Sequence, residues 1–287
     1  MDMPGNQLFR LDRARLLGLA SQHRVDFADA DPFPHIVLKD FLPDDVARAL
    51  AAEFPPIRDD GWCFAGPGHS VNTGDINIEK VQNDREEFFP PLIRRVMHEF
   101  NSSTFLDFLG ELTGYTGLLS DPWFAGCGLH STGRGGRLMI HADQDRHPNQ
   151  KLHQVINAIY YVSQNWQSDW GGQLELWDRD AKTRVKSVEP TFNSLVIFYT
   201  GRRSYHGHPH PLQTPEGVRR NSLAAYYYTT DRQISDDYEG RIPHVVWKST
   251  NEHDQLTMKG KIWNGALRIM PERAVYKLAR IWGAIKE

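Results

Sequence analysis

Cysteine is scarce in this sequence: among 287 residues there are two, Cys63 and Cys127. Two thiols cannot build a disulfide framework, and their spacing matches no zinc motif, so a reducing interior is expected. Long hydrophobic runs are missing too. Arginines interrupt the N-terminal stretch MDMPGNQLFRLDRARLLGLASQHR, and no small-residue cleavage site follows an apolar core. No window approaches the roughly 20 apolar residues of a spanning helix. The expectation is a soluble, cytoplasmic protein. An excess of one charge is also lacking. The 33 Lys and Arg against 36 Asp and Glu leave a net charge of −3, which gives no electrostatic reason to expect nucleic-acid binding. Internal repeats and low-complexity linkers are absent.

What is present is enough apolar material, 40% of residues, to bury a sizeable core. Residues 8–22 carry loosely periodic leucines and predict a first helix, and HIVLK at 35–39 predicts a strand. LPDDVARALAAEF opens with Pro43 and two acids, which suit the positive end of a helix. Residues 58–75 are rich in Gly, Asp and Asn and predict a long loop. Residues 90–112 predict one further amphipathic helix. From about residue 120 the texture changes to short apolar or alternating runs: WFAGCGLH, GRLMIHAD, HQVINAIYYVS, GGQLELWD, NSLVIFYT, SYHGHPH and NSLAAYYYTT. Each is bounded by Gly, Pro, Asn or Asp, the signature of closely spaced strands. The expected fold is α+β: a double-stranded β-helix (jelly-roll) core with N-terminal helices packed on it and a C-terminal helical extension. The expected organisation is a helical and strand support region over 1–115, the core over 116–232, and a basic amphipathic extension over 233–287.

His141-Ala142-Asp143 puts two metal-ligand side chains two residues apart, on one face of a strand. SYHGHPH offers a third ligand from His206, His208 or His210. Two histidines and a carboxylate make the facial triad of non-haem iron sites, which leaves coordination positions open for a chelating α-keto acid and for O2. A zinc hydrolase could use the same donors, but HExxH is missing and the candidates fall on strands. A dicarboxylic keto acid also needs a cation for its far carboxylate. The strand VRRNSLAAYYYTT supplies Arg220, whose planar fork suits that task, with Arg219 as its competitor on the other face.

Taken in order, HxD, AIYYVSQNWQSDWGGQLELWD, VEPTFNSLVIFYT, SYHGHPHPL and RRNSLAAYYYTT resemble the prolyl 4-hydroxylase-like branch of the 2-oxoglutarate/Fe(II) oxygenases. The resemblance runs from about residue 121 to 231. It implies that His141, Asp143 and His206 hold Fe(II), that Arg220 binds the far carboxylate of 2-oxoglutarate, and that Tyr161 bonds the same carboxylate. Ser163 stands where the family has Asn. The interval from His206 to Arg220 is longer than in the animal protein hydroxylases. His208 replaces an apolar residue and competes with His206 as ligand.

The implied activity is a dioxygenase that hydroxylates an unactivated C–H bond and releases succinate and CO2, with ascorbate as a candidate accessory reductant. The substrate classes considered are an amino acid or peptide, a sugar and a small natural product. The rival readings are a non-catalytic jelly-roll protein binding metal or sugar, and a cupin-like metal hydrolase or isomerase. Candidates for the cavity mouth are His130, Arg134, Arg137, Gln144, Asp145, His147, Trp123, Trp166, Trp170 and Trp177. Residues 259–287 combine seven Lys or Arg with an apolar face. Such a helix could pack on the core, form a dimer contact or lie on an anionic membrane.

Overall fold

A computed structural model of the chain describes residues 9–57, 61–64, 79–148, 150–230 and 245–250, with 258, 261 and 262. The sequence places strong helix signals before residue 115, and among the described residues four α-helices form there: α1 (Arg13–Ala28), α2 (Asp44–Glu53), α3 (Pro91–Phe100) and α4 (Ser103–Thr113). α1 starts later than the leucine pattern predicts because Asp12 caps it, its side chain accepting a hydrogen bond from the Arg15 amide. The single helix expected over 90–112 is two. Ser102 interrupts it: the chain turns extended there, and the Ser102 hydroxyl accepts from the Phe105 amide to open α4. Gly114, at φ 77°, closes α4 in the left-handed region. Ser102→Ala is expected to cost about 1 kcal/mol in thermal or denaturant unfolding.

The described residues form thirteen strands, seven of them on the alternating runs: β1 (His35–Leu38), β2 (Cys63–Phe64), β3 (Lys80–Asn83), β4 (Leu119–Ser120), β5 (Gly128–Thr132), β6 (Leu138–Ala142), β7 (His153–Tyr161), β8 (Leu174–Trp177), β9 (Arg184–Val188), β10 (Ser194–Tyr199), β11 (His206–His208), β12 (Arg220–Thr229) and β13 (Val246–Lys248). All pair antiparallel. One sheet has the order β1-β10-β7-β12-β5-β3-β2, with β4 on β12, and the other runs β13-β6-β11-β8-β9. From β5 to β12 the chain crosses between these sheets at almost every step, which is jelly-roll connectivity.

Five strands were not legible, and two of them, β2 inside the stretch expected to be a loop and β4, are only two residues long. β3 has no apolar alternation, and β9 (RVKSV) is mostly exposed at a sheet edge, so neither carries the hydrophobic pattern of a half-buried strand. β13 falls in a stretch read as strand-poor and pairs along β6. Most of the loop expected at 58–75, and all but two residues of the basic segment 259–287, lie outside the described residues.

Packing divides β12 by face. Leu223, Ala225 and Tyr227 enter one apolar cluster with Leu16 of α1, Leu50 of α2, Val96 and Phe100 of α3 and Phe105 and Phe108 of α4. Arg220, Ser222, Ala224 and Tyr226 face the space between the sheets. The helices thus back the larger sheet and leave its inner face free to build a cavity. No helix among the described residues is long and apolar enough to cross a membrane.

Candidate metal centre

β6 and β11 lie side by side, and their register sets His206 directly opposite His141. That proximity depends on Gly207. A Cβ there would lie 2.6 Å from the Met139 carbonyl oxygen, so any other residue would push the strands apart. Asp143 follows two residues after His141. Its Oδ1 is 3.3 Å from His141 Nε2 and 3.6 Å from His206 Nε2. One ligand atom from each of the three lies within 4.8 Å of the others, and all three residues are buried.

The other ends of these groups are fixed. His141 Nδ1 is 2.8 Å from the Met139 carbonyl, and His206 Nδ1 is 2.9 Å from that of Ser204. Carbonyl oxygens accept, so both Nδ1 atoms carry hydrogen and both Nε2 lone pairs are directed toward Asp143. Asp143 Oδ2 accepts from Asn157 Nδ2 at 3.1 Å and Gln154 Nε2 at 3.3 Å. Burial opposes charge on Asp143, but His206, His141 and Asn157 outweigh it and hold the carboxyl well below the usual carboxylate range. Burial pushes the His206 imidazole down to about 4, against the pull of Asp143. A charged carboxylate and neutral imidazoles are the protonation states a divalent metal requires. Asn157→Ala should weaken metal affinity about 10- to 100-fold in a competition titration, because it frees the carboxylate to rotate.

The triad lines a cavity of about 570 Å³. Across it, Arg220 is only 5% exposed. Its Nε donates to the Gly172 carbonyl at 2.7 Å and its Nη2 to the Tyr161 hydroxyl at 2.8 Å. Gly172 sits at φ +77°, and a Cβ on it would crowd Leu212 and Arg220. Burial raises the Tyr161 hydroxyl, with the Arg220 charge opposing. Among the described residues no carboxylate forms an ion pair with Arg220. A buried guanidinium without a counter-ion is costly, so this position fits an anionic ligand. Arg219 is engaged elsewhere, with Ser131 Oγ at 2.7 Å and Glu79 Oε2 at 3.4 Å.

The structure thus brings His141, Asp143, His206, Arg220 and Tyr161 around one site. His208 stays outside the cluster of three ligands although it lines the cavity. His210 is exposed, 3.7 Å from Glu175. Of the mouth candidates, His130 and Gln144 line the cavity. His147 instead pairs with Asp121 at 3.2 Å in a separate buried contact. Arg134 donates to the Thr214 carbonyl, Trp166 packs on Trp170, Trp177 donates to Glu175, and Trp123 is 58% exposed. Arg137 and Asp145 do not line the cavity.

Asn157, Gln154, Lys80 and Trp247 also line the cavity, although no sequence motif marks them. Asn157 was findable: it shares a strand face with Tyr161, four residues on. Gln154 was not, because a register shift in the pairing of β7 with β12 between Tyr227 and Tyr228 changes its phase. Trp247 packs on His141 with ring centroids 4.8 Å apart.

Residues 127–228 match the family model of the 2OG-Fe(II) oxygenase superfamily. The match covers about a third of the chain and is a likeness to that superfamily. The matched stretch holds His141, Asp143, His206, Arg220 and Tyr161. Prolyl hydroxylase EGLN3 of Mus musculus is 32% identical over 79 residues, which cover 27% of this chain and 30% of that protein. Prolyl 3-hydroxylase OGFOD1 of Mus musculus is 26% identical over 217 residues, 72% of this chain and 34% of its own length. The chain therefore spans about a third of the length of these curated relatives. A solved prolyl hydroxylase from Trichoplax adhaerens, in complex with a hypoxia inducible factor oxygen degradation domain peptide fragment, superposes with a TM-score of 0.53. It is 18% identical and covers 75% of this chain and 91% of that one, a likeness of fold. The superfamily's name specifies Fe(II) and 2-oxoglutarate. The two-histidine, one-carboxylate donor set fits the first, and the buried Arg220, without a carboxylate counter-ion among the described residues, fits the second.

Proposed function

We propose that the chain is an Fe(II)- and 2-oxoglutarate-dependent hydroxylase in which His141, Asp143 and His206 hold the metal. The observation that carries this reading is the pairing of that triad with a buried guanidinium lacking any acidic partner among the described residues. A simple metal-binding barrel, or a metal hydrolase, has no use for the second feature. Bound Fe(II) and 2-oxoglutarate supply oxidation of a C–H bond by O2, coupled to decarboxylation of the keto acid to succinate.

The chain's own residues do the rest. Arg220, steadied by Tyr161 and Gly172, binds the far carboxylate bidentately and sets how far the keto acid reaches toward the triad. Asn157 and Gln154 hold one oxygen of Asp143 so that the other faces the histidines. The apolar wall of Leu138, Ile159, Leu174 and Trp247 excludes water around the reacting groups. The relatives named as prolyl hydroxylases make a prolyl peptide the first substrate to try, with a free amino acid, a sugar and a small natural product after it. The organisation that goes with this reading is a support region over 1–115, the oxygenase core over 116–232 and an accessory segment over 233–287.

The test is succinate formation. Purified chain with Fe(II), 2-oxoglutarate and O2 should release succinate slowly without substrate, and Asp143→Ala should release none above a protein-free control. Equal rates in the two proteins would sink the proposal.

A further inference from the structure

His208 has no part in the site as derived so far. It lies on β11 two residues beyond His206, is 3% exposed and lines the cavity. Neither of its ring nitrogens has a hydrogen-bond partner among the described residues. A buried imidazole unmatched at both nitrogens costs stability unless a ligand completes it.

Its surroundings indicate which ligand. His208 lines the same cavity as Arg220, Lys80, His141, Asp143 and His206. His208 therefore shares one enclosed space with the cation proposed to receive the far carboxylate and with the metal-ligand triad. It comes from β11, in the sheet opposite the one that carries Arg220 on β12. The register sets it opposite Leu138, away from the His206–His141 pair, so it lies one pleat from the ion position. An α-keto diacid anion offers only acceptor oxygens, and a neutral imidazole has one N–H to give.

We propose that His208 is a cosubstrate-positioning residue, donating an N–H hydrogen bond to an oxygen of the keto acid that spans from Arg220 to the metal. This rests on the function proposed above. The bond fixes the keto acid from the wall facing Arg220, so two sheets grip one ligand. It also gives a physical reason for a histidine at a position where the resembled family has an apolar side chain.

The experiment is anaerobic titration of 2-oxoglutarate into Fe(II)-loaded protein, read by the visible absorption of the chelate, for wild type, His208→Val and His208→Gln. Losing a hydrogen bond to a charged, buried ligand should raise Kd about 10- to 100-fold in His208→Val. His208→Gln keeps a donor and should stay within about threefold of wild type. In turnover, KM for 2-oxoglutarate should rise in His208→Val with kcat little changed. Unchanged Kd in His208→Val, or equal weakening in both variants, overturns the proposal. So does loss of iron from either variant, which would make His208 a ligand. If His208→Val does not fold, the imidazole is read in wild type by 15N-histidine NMR of Zn(II)-loaded protein, assigned with His208→Gln. A His208 signal that moves when 2-oxoglutarate is added supports the bond, and one that stays still overturns it. Absence of any chelate in iron-loaded wild type is a different failure and removes the proposed function itself.

Discussion

His206→Ala is expected to lose metal affinity by more than about 100-fold, because it removes a ligand and not merely its support. In the same titration His208→Val should keep wild-type metal affinity. The contrast follows from the sheet. His206 is paired with His141, its Nδ1 is satisfied by the Ser204 carbonyl, and its Nε2 faces Asp143 at 3.6 Å. His208 has no such orientation on the metal side. Equilibrium dialysis with Co(II) or Mn(II) measures both. Retention of metal by His206→Ala together with its loss in His208→Val would reverse the ligand assignment and move the site one pleat along β11.

Arg220→Leu is the second large effect. The guanidinium is buried, its Nε and Nη2 already hold it against Gly172 and Tyr161, and its charge has no acidic partner among the described residues. Removing it leaves the far carboxylate of the keto acid without its cation. The expected rise in Kd for 2-oxoglutarate is about 100- to 1,000-fold, with metal affinity unchanged. Arg220→Lys restores the charge but not the fork and should fall between. Arg219→Ala should leave keto-acid binding unaltered, because that side chain is spent on Ser131 and Glu79. Calorimetric titration of the metal-loaded variants checks all three. Equal loss in the Arg219 and Arg220 variants would mean that both act through the strand and not through the ligand.

These assignments could be read in advance wherever one strand face decides them. The period-two alternation of β12 put Arg220, Ser222 and Ala224 on one face and Leu223 with Ala225 on the other; the first three line the cavity, Ala224 also touching the core cluster that holds Leu223 and Ala225. His141 and Asp143 were legible for the same reason. His206 joined them in advance only through the family resemblance, since register between β6 and β11 is a property of the assembled sheet. The break between α3 and α4 was carried by one residue, Ser102, inside an otherwise continuous amphipathic pattern. Of the aromatics and polar residues proposed for the mouth, most proved to be bound to near neighbours. Composition says that such groups need partners but not which ones. Lys80 entered the cavity from β3, a strand with no alternation to announce it.

The first measurement is the addition of 2-oxoglutarate to anaerobic, Fe(II)-loaded wild-type chain, followed in the visible region. The expected result is a weak charge-transfer band that saturates at one keto acid per iron and is absent from Asp143→Ala. Iron bound without any such band would contradict it, and would leave a metal-binding barrel or a hydrolase as the better description of the same triad.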